Sequence, residues 1–175
     1  MTRGLSNDRL KRLAQTIDTL IERDEVQARH AAEVAELRRC AAEELHGICA
    51  GFVASINLLL VNTKLELDPP VFSPNTYKPS GPNLFQIHVR GRILEIHFEA
   101  PERLVSTENF RVPYVLEGAV RGFNQQLLER ESVEEQLLFY CLERQRQAWR
   151  YFDARTYQSG LFSHEYLVSL MERVL

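Results

Sequence analysis

The stretch "FQIHVRGRILEIHFE", residues 85–99, decides the fold. Phe85, Ile87 and Val89 alternate with Gln86, His88 and Arg90, and Leu94, Ile96 and Phe98 alternate with Glu95 and His97, the period of two that marks half-buried strands. Between them Arg90-Gly91 supplies a two-residue turn in which glycine takes the positive φ. The register that follows sets Val89 against Arg92, Ile87 against Leu94 and Phe85 against Ile96. All the apolar pairs then share one face, a consistency that a slip of one residue would destroy.

The same register assigns the polar residues. His88, Glu95 and His97 point to the opposite face, with Gln86 and Ile93, and they are the weak candidates for a metal site. Zinc needs three or four ligands converging at about 2.0 to 2.2 Å. Here only one member of the two-apart pair Glu95 and His97 is a histidine, and no further carboxylate or cysteine is anchored by spacing. The reading is therefore the wetter side of a sheet, with no metal and no cofactor expected.

Upstream, Ser6, Asn7 or Asp8 can cap a helix, and no proline follows until Pro69. One helix of more than about fifty residues is expected. In heptads, one seam position holds Leu10, Ile17, Asp24, Ala31, Arg38, Leu45, Phe52 and Leu59, and the other Leu13, Leu20, Gln27, Val34, Ala41, Ile48 and Ser55. Residues 8–44 are amphipathic and rich in Arg, Glu and Ala, whereas 45–61 are apolar nearly all round, which implies burial on several sides. The expected organisation is a projecting, coiled-coil-like helix over 1–44 and a globular domain over 45–175. The stripe Leu10, Leu13, Ile17, Leu20 and Ile21 then needs a partner surface, on its own domain or on another chain.

Between residues 64 and 83 lies a connector holding five of the seven prolines, read as a rigid linker. Downstream, Val112, Tyr114 and Leu116 lead into a Glu117-Gly118 turn, with Ala119 to Asn124 returning and Pro113 at a strand start. Over 133–152 two readings compete. Ser132-x-x-Glu135 resembles a capping box before a helix, while "LLFYCL" and "AWRYFD" around a polar turn read as a hairpin, favoured by the aromatic content. "DARTYQSG" reads as a loop. Ser163 caps a last helix that buries Tyr166, Leu167, Leu170, Met171 and Val174. The fold class expected is α+β: a long N-terminal helix, an antiparallel sheet of four to six strands built from hairpins, and a C-terminal helix.

Function is bounded mostly by exclusion. A net charge of -3 gives no general attraction to polyanions. Arg144, Arg146, Arg150 and Arg155 nevertheless cluster with Trp149, Tyr151 and Tyr157, the material of a nucleic-acid surface, although Glu129, Glu131, Glu134, Glu135 and Glu143 lie close by. There is no GxSxG, no HExxH and no glycine-rich phosphate loop. Three cysteines, Cys40, Cys49 and Cys141, without CxxC spacing suit reduced thiols. The first residues hold no apolar signal core and the longest apolar run is too short for a bilayer, so a cytoplasmic protein with no membrane role is expected. The resulting expectation is a non-enzymatic interaction or accessory module that self-associates or docks on a protein through its first helix. A nucleic-acid accessory protein acting through 144–157 is the alternative, and a small enzyme with a site assembled from distant residues is the second.

Overall fold

The computed structural model describes residues 3–102, 113–124, 135–144 and 146–175, with side chains from residue 7. Helix α1 runs Arg3–Asn57, and the chain divides into two compact units, Met1–Leu37 and Arg38–Leu175. In the second unit β1 (Glu66–Asp68), β2 (Asn83–Val89), β3 (Arg92–Glu99), β4 (Tyr114–Asn124), β5 (Glu135–Leu142), β6 (Gln147–Asp153) and β7 (Gln158–Leu161) precede helix α2 (His164–Val174). The class is α+β. The strands form one antiparallel sheet in sequence order, β1 to β7.

The 85–99 hairpin has the register its alternation demands, with Val89 opposite Arg92, Ile87 opposite Leu94 and Phe85 opposite Ile96. Arg90 and Gly91 both take positive φ, 44° and 79°, as the twist of a two-residue hairpin requires. The inner face packs on the second half of α1. Ala41, Ala42, Leu45, Cys49, Phe52 and Val53 of the helix are buried, as are Phe85, Ile87, Leu94, Ile96, Phe98, Leu116, Leu138 and Trp149 of the sheet. Small residues at 41 and 42 allow close approach. Trp149 uses it, donating its indole N–H to the Ala41 carbonyl at 2.7 Å. A row of rings crosses this face, His46 to Phe85 (5.2 Å), Phe85 to Phe98 (5.2 Å), Phe98 to Trp149 (5.6 Å) and Trp149 to Tyr140 (5.4 Å). Tilted and edge-on ring pairs of this kind add to simple burial.

Arg38, a polar interruption of the heptad seam, is explained by the sheet, since its Nε donates to the Val115 carbonyl at 2.9 Å. Helix α2 closes the same face. Ser163 caps it by accepting from the Tyr166 N–H, and Tyr166, Leu167, Leu170, Met171 and Val174 are buried as their spacing predicts.

Five expectations are corrected. The sheet has seven strands, not four to six. The proline-rich connector contributes β1, whose Leu67 pairs with Ile87. The loop read over 153–160 contains the start of β7. No turn occurs at Glu117-Gly118, because Tyr114–Asn124 is one strand; Gly118 stands between Phe98 and Leu138, where a Cβ would strike the His97 carbonyl oxygen and lie 2.8 Å from the Phe98 Cα. Nor is the apolar run buried to its end. Leu58, Leu59 and Val61 are 79 to 91% exposed, because α1 stops at Asn57, whose side-chain amide clamps both the N–H and the carbonyl of Leu65. Among the described residues of 133–152 the hairpin reading holds, with Leu142 opposite Gln147; Val112, Ser132 and positions 133, 134 and 145 lie outside the described residues.

Two glycines separate close packing from mere flexibility. Gly118→Ala should destabilise the protein by roughly 1–3 kcal/mol through overpacking. Gly47→Ala, in mid-helix with open space where its Cβ would go, should stabilise it by about 0.5–1 kcal/mol. Urea unfolding of the two variants beside the parent chain measures both signs.

Candidate functional site

In the first unit, Leu10, Leu13, Ile17, Leu20 and Ile21 are between 46 and 61% exposed. At 100° per residue the five fall within an arc of about 100°, the width of a core-facing helical stripe. Val26, also exposed, falls on the opposite side of the helix. Thr16 and Thr19 return their hydroxyls to the Arg12 and Gln15 carbonyls, each at 2.9 Å, so those side chains bind their own helix.

On the sheet's outer face the histidines separate. His88 is opposite Ile93 and His97 opposite Leu84, four residues along the strand and therefore about 13 Å apart. Glu95 is opposite Gln86 and accepts a hydrogen bond from its Nε2 at 3.0 Å. Among the described residues no group of three or more His, Cys, Asp and Glu could hold a metal ion. His97 instead borders a shallow depression of about 310 Å³ with Glu99, Tyr114, Glu117, Glu135 and Phe139. Its Nδ1 is buried and finds no partner among the described residues, and Glu99 faces Glu117 directly across the β3–β4 ladder. Tyr114 is pushed up to about 12 by burial and by its bond to the Glu117 carboxylate. The depression is rich in hydrogen-bond acceptors, three of its lining residues being glutamates.

The arginines do not converge. Arg144 and Arg146 are exposed at the β5–β6 turn, Arg150 lies along β6, and Arg155 follows β6 at its far end. Arg146 and Arg155 are thus separated by roughly the length of a seven-residue strand, about 23 Å. Arg150 donates to Glu143 at 3.2 Å, and Arg155 lies 3.9 Å from Asp153. Two of the aromatic members turn to the helical side, since Trp149 is buried and Tyr151 stacks on Tyr166 at 3.8 Å, while Tyr157 is exposed beside Phe152.

One feature escaped the sequence reading. The segment after β1 folds over a cavity of about 240 Å³ lined by Phe72, Tyr77, Lys78, Asn83, Phe85 and Phe98 among others. Buried Asn83 holds the segment by accepting from the Lys78 N–H (2.8 Å) and donating to its carbonyl (3.0 Å), and His46 Nε2 lies 2.7 Å from the Pro69 carbonyl. The available signal was His46 beside Leu45 on an otherwise apolar helix face, since a buried imidazole needs a polar partner. The Tyr77 hydroxyl is buried without a partner among the described residues. Its pKa is raised by that burial, against the lowering pull of the Arg38 guanidinium.

No family model matches the chain, and no curated protein or solved structure shows a significant likeness to it.

The buried phenols set the alkaline limit. Burial, then the Glu44 carboxylate, pushes Tyr140 up to about 12, and burial raises Tyr166 as well. A phenol whose folded pKa lies above its unfolded value of about 10 contributes stability that is complete below pH 10 and lost as pH rises through the folded value. Stability should therefore hold to about pH 10 and fall between about 10 and 12, with the tyrosinate absorbance of Tyr140 and Tyr166 appearing late and together with unfolding. Full tyrosinate titration of a still-folded protein near pH 10 would contradict this.

Proposed function

We propose that the chain is a non-enzymatic interaction module that works by pairing the apolar stripe of its N-terminal helix with another helix, while the domain of residues 45–175 supplies specificity. The observation that carries the reading is the half-exposure of Leu10, Leu13, Ile17, Leu20 and Ile21 on a single helical stripe, since contiguous apolar surface rimmed by charge marks an interaction site. Covering the exposed halves of five such side chains on each of two helices is worth on the order of 10 kcal/mol. Association costs a comparable ~4–15 kcal/mol, so the pairing belongs to the reversible class. The three cysteines form no disulfide, and burial pushes Cys49 up to about 12 and Cys141 to about 11, which suits a reducing compartment such as the cytoplasm. No helix among the described residues is long and apolar enough to cross a membrane.

Replacing two stripe residues tests the reading. The full chain should show, by light scattering over a concentration series, a species heavier than its 20.3 kDa, or should retain a protein on purification from its own cell. Ile17→Glu with Leu20→Glu should remove either behaviour while leaving circular dichroism unchanged. A parent chain that stays at monomer mass and recovers the same proteins as the double variant would sink the proposal.

A further inference from the structure

We infer that the stripe's partner is a second copy of this chain, lying antiparallel with the two-fold axis crossing the stripe at the level of position 15; this rests on the helix-pairing reading above. Two independent features of the first unit select that arrangement. The first is the seam. If residue i of one copy faces residue 30 − i of the other, Leu10 meets Leu20 and Leu13 meets Ile17, giving consecutive apolar layers on both sides of the axis. Asp24 then falls beyond the last layer. A parallel, in-register pair would bring Asp24 against Asp24 at a seam position, and like charges there are destabilising.

The second feature is charge. Residues 8–12 carry Arg9, Lys11 and Arg12 against Asp8, three positive minus one negative, or +2; residues 18–22 carry Asp18 and Glu22, or −2. Rotation about position 15 lays 8–12 of each copy along 18–22 of the other. The blocks then complement each other twice, whereas a parallel pair sets each against its own sign. Packed helices lie about 8–10 Å apart, within the ~10 Å Debye length at 0.1 M salt. Association should weaken several-fold between about 0.05 and 0.5 M salt.

Dipolar distances between nitroxide labels measure the orientation directly. In the full chain carrying Cys40→Ser, single labels at Gln15→Cys, Thr19→Cys and Val26→Cys occupy uncharged positions on the back of the helix, away from the stripe. In the antiparallel pair the axial separation of equivalent labels grows by about 3 Å per residue from position 15, to about 12 Å at Thr19 and about 33 Å at Val26. The expected result is a label distance that lengthens from Gln15 through Thr19 to Val26. Equal distances at all three positions would show parallel copies and overturn the inference while leaving helix pairing intact. A monomer at tens of micromolar would overturn it too. The broader reading then falls only if the Ile17→Glu, Leu20→Glu variant also retains every protein the parent chain recovers.

Discussion

The second unit is organised by the indole of Trp149. It is among the largest side chains in the core, fully buried, and its only polar atom has to find a partner there. The partner is the Ala41 carbonyl, an oxygen on the side of a helix. That bond fixes the depth at which α1 sits on the sheet, and only small residues such as Ala41 and Ala42 fit at the contact. Arg38 reaching Val115 and Tyr140 reaching Glu44 at 3.3 Å fix the helix on either side of it. Packing and polar satisfaction thus specify one docking of helix on sheet, where apolar area alone would tolerate several.

What could be read from the sequence follows from how local each cause is. The 85–99 hairpin was legible because a two-residue turn and two alternating runs constrain one another within fifteen residues. The capped C-terminal helix was legible for the same reason. Gly118 was misread because its cause is distant: it is a glycine for the sake of the neighbouring strand's backbone, whereas in sequence a lone glycine after a charged residue looks like a turn. β1 was missed because three residues beside prolines become a strand only once β2 offers them a ladder. Leu58, Leu59 and Val61 show a further limit. Hydrophobicity marks residues that can be buried, but the Asn57 clamp ends the helix before it can carry them inside.

The outer face explains why the histidines drew attention and then dispersed. Its cross-strand rows differ in character. One row is Asp68, Gln86, Glu95, Arg121 and Glu135, joined by the Gln86–Glu95 hydrogen bond and the Arg121–Glu135 ion pair. Further along, Phe139, Cys141 and Phe152 cluster with Tyr114. His88 and His97 fall in different rows, so alternation gathered them on one face without bringing them together. In the candidate site, the helix stripe was legible from spacing alone. The cavity beneath the proline-rich segment was not, because it exists only once that segment is tied down by Asn83 and by His46, a residue of the distant helix α1.

The ends of the sheet have a consequence of their own. β1 has three residues and is followed at once by Pro69 and Pro70, while β7 has four. After β7 the Phe162 N–H turns back to the Trp149 carbonyl. Short borders and nearby prolines leave little backbone for a foreign strand to read, which is how natural sheets resist amyloid-like growth. Among the described residues, the sheet's borders thus offer an incoming chain only three- and four-residue templates, while the apolar surface of the first helix is the place where another chain can gain most by docking.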